Sequence, residues 1–460
     1  MNNIMTHRYI KVLLGFICLL SNLMVAQVQV KTKPNIVFIM ADDLGIGDIG
    51  CYGQEILETP HIDKLAQEGM RFTQAYAGSS VCAPSRSSLM TGMHNGHNRV
   101  RDNIPHGVFL LPDDLTVAEV LKQAGYKTGG VGKWGLGNPG SWGVPNYQGF
   151  DYYYGQLNQD QAHYYYPDYM WENEKIDLLF ENRGEKKGAY THNIFMDKAI
   201  KFIDNNKSNP FFLYLSLTLP HFSDYDERTA DSHIVPSNAK YASKDWPEVE
   251  KNYATMVDMV DQSVGQIMEK LKQLGLDSNT IVFFTSDNGP NRSTLHDIDF
   301  FNSNGIYKGG KRDMYEGGIR IPMVVRWPEK IKAGTVSDQV WAFWDFLPTA
   351  AEIANLPFER EIDGVSVLPT LLGKKQSPLH KYLYWDYGHS REIFMQAVRW
   401  NNWKGVRNGQ GTELEVYDLN VDPGEKNDLA SKEKDVLLKL ESFIKEAYVP
   451  SSDYPMKMKK

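Results

Sequence analysis

Asn35-Ile-Val-Phe-Ile-Met-Ala-Asp-Asp43 is an unbroken apolar run that stops at two adjacent carboxylates. A strand that is apolar at consecutive positions is buried on both faces, as in a parallel sheet with helices on either side. Three further runs have the same form. Residues 128–131 lead into Lys133, residues 211–217 into His221, and residues 281–285 into Asp287 and Asn288. Ligands of an open α/β sheet bind beyond the carboxyl ends of the strands, so these polar residues are predicted to meet in one pocket.

Helical patterns separate the runs, as crossovers between parallel strands require. Thr59-Pro60 reads as an N-cap and first-turn proline for a helix toward Gly69. Thr116 and Glu119 read as a capping box, with Val117, Val120, Leu121 and Ala124 on one face and Gly125 at the end. A longer stripe, Val257, Val260, Val264, Ile267 and Leu271, predicts an amphipathic helix ending near Gly275. The expected fold class is α/β, a large, mostly parallel or mixed sheet sandwiched by helices. After Gly373 the texture changes to short aromatic runs at 382–385, 397–400 and 414–419, followed by a helical pattern over 432–447. These predict a small antiparallel sheet with one covering helix. The expected domains are 27–375 and a C-terminal α+β subdomain at 376–460.

The 460 residues have ordinary globular composition, 42% hydrophobic and 23% charged, with 10 Trp and 25 Tyr that suit sugar-binding surfaces as well as core packing. A net charge of -8 gives no long-range attraction to nucleic acid or to anionic membranes, so an anionic substrate needs a locally basic pocket. Residues 1–26 read as a signal peptide, with His7, Arg8 and Lys11 before a short apolar core and Ala26 as the small residue for cleavage. Export to the periplasm or the exterior is expected, with no membrane span. Removal of that peptide leaves Cys51 and Cys82. A disulfide between them is one reading, and the surroundings of Cys82 favour a processing signal instead.

Those surroundings are Cys82-Ala-Pro-Ser-Arg-Ser-Ser-Leu-Met-Thr-Gly92. The segment resembles the signature of type I sulfatases of the alkaline phosphatase superfamily, whose cysteine is oxidised to formylglycine by a formylglycine-generating or anaerobic sulfatase-maturing enzyme. Physics supports the position independently. Pro84 can start a helix, which sets Cys82 at its positive end, and Arg86 four residues on shares that face and can hold an anionic oxygen. Asp42, Asp43, Asp287 and Asn288 offer hard oxygen ligands, which favour calcium or magnesium over zinc. The resemblance implies one Ca2+ ion touched also by residue 82. It further implies that 27–375 is the catalytic domain, that Lys133 and Lys311 bind sulfate oxygens, and that His221 protonates the leaving alcohol.

One departure from the family pattern stands out. Gly132-Lys-Trp-Gly135 has glycine where many sulfatases carry a histidine that assists the formylglycine hydroxyl, and His163 and His192 are candidates to substitute. A sulfated sugar is the expected substrate class, with galactose or N-acetylgalactosamine sulfates as the specific expectation. His163 and Trp171 in an aromatic insertion, with His106 and Arg101, are the candidate substrate-binding residues. Two rival readings remain open: a phosphoester or phosphonate ester hydrolase on the same fold, and a glycan-binding homologue that has lost catalysis. Changing Cys82 or Arg86 to alanine is expected to stop turnover and spare the fold.

Overall fold

The four apolar runs are adjacent parallel strands in the computed structural model, which describes residues 33–103, 108–184, 186–223, 233–292, 295–389 and 391–454. Their sheet contains β1 (Asn35–Asp42), β2 (Met70–Tyr76), β3 (Lys127–Lys133), β4 (Tyr152–Gln156), β5 (Tyr169–Glu172) and β6 (Lys175–Leu178). It is completed by β7 (Phe211–Pro220), β8 (Thr280–Ser286), β9 (Arg320–Arg326), β10 (Thr335–Ser337) and β11 (Trp341–Ala342). The order is β10-β2-β9-β8-β1-β7-β3-β4-β5-β6, with β11 also on β2. From β8 to β4 every pairing is parallel, whereas β9 runs antiparallel to both its neighbours and β5 antiparallel to β4 and β6.

Strand alternation divides β1 between two cores. Ile36, Phe38 and Met40 join Leu89, Val117, Phe346 and Leu347 on one face. Val37, Ile39 and Ala41 join Ile62, Phe195, Val257 and Val264 on the other. Each fully buried side chain of this size contributes roughly 1.5–3 kcal/mol, so a run with no polar interruption is what a strand between two helical layers needs. The Phe38 ring lies 4.5 Å from that of Phe346, centroid to centroid.

Local signals hold at most of the helices. Thr116 and Glu119 form the expected capping box on the helix Val117–Gln123, and Gly125 adopts φ 84 beyond it. The long amphipathic helix is Glu248–Gln273, with Gly275 at φ 66. Thr59 is different. It precedes the helix Pro60–Gln67, but its hydroxyl accepts from Gly50 N (2.8 Å) and does not cap the helix, because that loop packs over the helix start.

The second sheet has the order β12 (Leu383–Tyr387), β13 (Met395–Trp400), β14 (Trp403–Arg407) and β15 (Glu415–Asp418), all antiparallel, beneath the helix Lys434–Ala447. Strand β14 was not legible as a strand, since Lys404 and Gly405 interrupt its pattern. It exists because Asn401 at φ 56 closes a two-residue turn between Trp400 and Trp403. The face away from the helix packs Leu383, Trp385 and Val406 against Tyr76, Val81, Met314 and Trp344. A buried ion network crosses the same boundary: Glu316 accepts from Lys404 (2.9 Å), Arg320 (2.9 Å) and Tyr76 (2.7 Å). Burial alone would raise the Glu316 carboxyl, but Lys404 and Arg320 outweigh it and bring it down to about 2.

Residues 1–26 and His106 lie outside the described residues. Among the described residues no helix is long and apolar enough to cross a membrane. Cys51 and Cys82 are both free thiols and not a disulfide.

Candidate anion and metal site at the carboxyl edge of the sheet

The polar residues that end β1, β3 and β8 meet the start of the helix Cys82–Thr91. Met40 pairs with Ser216 on one side and Thr285 on the other, and Gly132 pairs with the same Ser216, so the strand ends are level. Alternation along a strand would point Asp42 and Asp43 to opposite faces. The register of β1 on β7 shifts after Met40, and Asp43 takes the left-handed conformation at φ 65. Both carboxylates therefore enter one cluster, at a backbone cost of about 1–2 kcal/mol for a non-glycine residue. Single ligand atoms of Asp42, Asp43, Cys82 and His221 lie within 4.8 Å of one another.

Every residue of the helix Cys82–Thr91 is buried, and Gly92 at φ 73 ends it by returning its N–H to Ser88 O. Cys82 Sγ is 3.4 Å from Asp42 Oδ1. Burial pushes the Cys82 thiol up, beyond what Lys133 and Lys311 offset, so an unaltered thiol here stays protonated at neutral pH.

Arg86, one turn on, donates from Nε (3.1 Å) and Nη2 (2.7 Å) to Asp287 Oδ2 and from Nη1 to Lys133 O (3.1 Å) and Ser216 Oγ. Its Nη2 also lies 3.5 Å from Asp42 Oδ1. The guanidinium is wholly buried, so the expectation that its removal spares the fold is corrected: Arg86 compensates two buried carboxylates and joins β3 to β7. Ser216 was missed in the sequence reading. It shares β7 with two other hydroxyl residues, Tyr214 and Thr218, so nothing local singled it out.

Two lysine-histidine pairs flank the acids. Lys133 Nζ donates to Asp42 Oδ2 (2.8 Å) and to His163 Nε2 (2.9 Å). Lys311 Nζ donates to Asp43 Oδ2 (2.8 Å) and to His221 Nε2 (2.9 Å). The rings of His163 and His221 stack face to face at 3.4 Å and 6°. His221 Nδ1 faces Phe222 O at 2.6 Å, and a carbonyl only accepts, so Nδ1 carries the proton and Nε2 is the acceptor for Lys311. Burial, with His163 and Lys311 adding to it, pulls His221 well below its usual range. Burial raises Asp42, but Lys133, His221 and Arg86 prevail and hold it well below normal, while Asp287 is pushed above normal by burial and by the Asp42 charge.

Three carboxylates thus face Arg86, Lys133 and Lys311, and the protein part of the cluster is formally neutral. A divalent cation would make it complementary to an anion. The donors fit a hard cation. Asn288 Nδ2 donates to Asp43 Oδ1 (2.7 Å), while Asn288 Oδ1 is buried with no hydrogen-bond partner among the described residues. An orphaned oxygen beside three carboxylates is the donor set of calcium or magnesium. Adding Ca2+ to chelator-treated protein is expected to raise Tm, since a ligand at a hundredfold its Kd stabilises by about 2.7 kcal/mol. Asn288→Leu should cut the shift in differential scanning fluorimetry, and an unchanged Tm on Ca2+ addition to the unaltered chain would remove the site.

Not every candidate comes to this cluster. Arg101 is buried elsewhere, donating from Nε to Asn98 O (2.8 Å) and from Nη1 to Val449 O (2.6 Å), so it ties down the C-terminal segment and is corrected from a substrate ligand to a backbone clamp. Trp171 sits on β5 and packs against the core, because β5 is paired on both sides and its ring turns inward. His192 Nε2 faces Ser263 Oγ (3.0 Å) between two helices and is likewise not at the site. Of the aromatic insertion, Tyr165 hydrogen-bonds Thr218 O (3.0 Å) and His221 O, which steadies the loop bearing His221.

A family model described as Sulfatase matches residues 34–356, and one described as N-sulphoglucosamine sulphohydrolase, C-terminal, matches residues 305–448. The chain is 31% identical over 466 residues to human steryl-sulfatase, covering 82% of this chain and 75% of that protein. It is 31% identical over 496 residues to the N-acetylgalactosamine-6-O-sulfatase of Bacteroides thetaiotaomicron, covering 90% of this chain and 93% of that one. A crystal structure of Ps i-CgsB in complex with k-i-k-neocarrahexaose superposes with a TM-score of 0.78 at 28% identity, over 93% of this chain and 95% of that one.

Proposed function

Because this chain belongs to the sulfatase family, we propose that it hydrolyses sulfate esters carried by carbohydrates at the cluster around Cys82. The observation that carries the reading is the pair of lysine-histidine couples flanking Asp42 and Asp43 directly beside Cys82 Sγ. The segment Cys82-Ala-Pro-Ser-Arg86, in a chain of this family, supports conversion of Cys82 to formylglycine by a maturing enzyme of the formylglycine-generating or anaerobic kind. The hydrated aldehyde would supply two hydroxyls on one carbon, one to attack sulfur and one to release sulfate. A calcium ion held by Asp42, Asp43, Asp287 and Asn288 would supply positive charge at the sulfuryl oxygens.

The remaining work falls to this chain's own side chains. Lys133 and Lys311 present ammonium groups to the sulfuryl oxygens, and each is held in place by one carboxylate. The leaving oxygen needs a proton as the S–O bond breaks. His221, with Nδ1 held by Phe222 O (2.6 Å) and Nε2 held beside Lys311 (2.9 Å), is the group assigned to present that proton, while Lys311 stays an ammonium facing the sulfuryl oxygens. Arg86 fixes Asp287 and, through Lys133 O, the end of β3. The name of the N-acetylgalactosamine-6-O-sulfatase among the relatives supports a sulfated saccharide and, within that class, the galactose or N-acetylgalactosamine sulfates expected from the sequence. The basic, apolar and small-residue pattern of residues 1–26 supports a periplasmic or secreted location.

The test is a side-by-side measurement of kcat/KM for 4-nitrophenyl sulfate, 4-nitrophenyl phosphate and a set of sulfated mono- and disaccharides, on protein matured in a competent host. A preference for sulfate over phosphate of about 100-fold or more is expected. Faster turnover of the phosphate would overturn the reading in favour of a phosphoester hydrolase. Saccharide binding with no turnover, from protein whose Cys82 is shown by mass spectrometry to be converted, would favour the binding homologue.

A further inference from the structure

Gly135 stands where the family pattern has a histidine, and the structure shows what occupies the space above it. Gly135 adopts φ 80, and a Cβ built there would collide with the Nε2 of Gln159. Gln159 begins the short helix Gln159–Ala162 in the aromatic insertion, after Asn158, whose side chain accepts from Gln161 N (3.0 Å). Both Nε2 and Oε1 of Gln159 are buried, and neither has a hydrogen-bond partner among the described residues. A carboxamide left unsatisfied at both ends is costly, about 1–3 kcal/mol per group, unless a ligand or water completes it.

The same carboxamide lines a cleft with Ala83, Asn103, Gly135, Asn138 and Asn158. Ala83 is the residue next to Cys82 and donates its N–H to Asn103 Oδ1 (2.9 Å), so two wall residues of the cleft are tied together next along the chain to the reacting position. Its described lining includes no lysine, arginine or histidine, and its one carboxylate, Asp102, is paired with Arg391 (2.9 Å). Neutral carboxamides donate and accept at once, which matches sugar hydroxyls, each both donor and acceptor. A second sulfate or a uronate carboxylate would meet no cation among the described lining residues to offset its desolvation.

We propose that Gln159 is a specificity-determining residue that hydrogen-bonds an uncharged hydroxyl of the leaving sugar, in a neutral subsite opened by glycine at position 135. This rests on the sulfate-ester reading above. The test uses the matured enzyme, a mono-sulfated sugar, the same sugar with a second sulfate, and 4-nitrophenyl sulfate, whose leaving group has no sugar hydroxyl. Gln159→Ala is expected to lower kcat/KM for the mono-sulfated sugar about tenfold more than for the aryl sulfate, as the loss of one substrate hydrogen bond would. Gln159→Lys, which brings a cation into the subsite, is expected to shift the ratio of kcat/KM toward the doubly sulfated sugar. Equal losses on sugar and aryl sulfates, or no loss on either, would overturn the proposal. An original enzyme that prefers the doubly sulfated sugar would overturn it as well. Failure of the sulfate-ester reading is separate, since it would appear as no turnover of any sulfate ester by the unsubstituted enzyme.

Discussion

Cys82→Ala is expected to lose at least about 10⁴-fold in sulfate-ester turnover, as enzymes do when the nucleophile is removed, with Tm within a few degrees of the original. The stability side follows from size. Alanine keeps the helix start, and the N–H of the neighbouring Ala83 still meets Asn103, so only one buried sulfur and its 3.4 Å contact with Asp42 Oδ1 are lost. The activity side follows from chemistry, since no other side chain in the cluster can both attack sulfur and release it again. Cys82→Ser sharpens the point. A serine hydroxyl can take up the sulfuryl group once but has no second hydroxyl on the same carbon with which to expel it. A single burst of alcohol product, stoichiometric with enzyme, is therefore expected in a rapid-quench measurement. Sustained turnover by either variant would contradict the assignment of residue 82.

Arg86→Met is expected to lose turnover and also stability, by about 3–5 kcal/mol, the range for breaking a buried ion pair from one side. The guanidinium is fully buried and meets Asp287 through two nitrogens, so its loss leaves the buried Asp287 and Asp42 carboxylates with less compensation. It also frees Ser216 and the Lys133 carbonyl, which align two strand ends. Urea unfolding should show a lower midpoint with an unchanged slope, and Arg86→Lys should recover part of the stability because the charge is kept without the fork. An Arg86→Met chain as stable as the original would show that the network contributes little to the fold, and an active one would remove Arg86 from the site.

The degree to which the site was legible varies residue by residue. Asp42, Asp43, Asp287 and Asn288 were readable because each terminates an apolar run, a one-dimensional pattern with a three-dimensional meaning in any parallel sheet. Lys133 was readable in the same way, as the end of an apolar run, with only its role coming from family likeness, whereas Lys311 came from family likeness alone, because a lysine in a loop has no distinguishing local signal. Arg101 misled, because nothing local separates a guanidinium that binds a ligand from one that holds Asn98 O and Val449 O. Strand β14 was invisible because Lys404 and Gly405 interrupt its short apolar pattern, while the turn that creates it depends on one left-handed asparagine.

The sequence alone determined the four central strands, the capped start after Thr116 and the glycine stops at Gly125 and Gly275, and the identity of the segment at 82–92, because periodicity and capping act over only a few residues. Only the tertiary structure decided that Arg86 serves Asp287, that Lys133 and Lys311 each couple an acid to a histidine, and that Gln159 fills the space above Gly135. Those partners lie tens to hundreds of residues apart, and their pairing follows from the order of strands in the sheet. Buried charges in a low dielectric must be matched by whichever opposite group that order brings within about 3 Å, and no local rule encodes which group that will be.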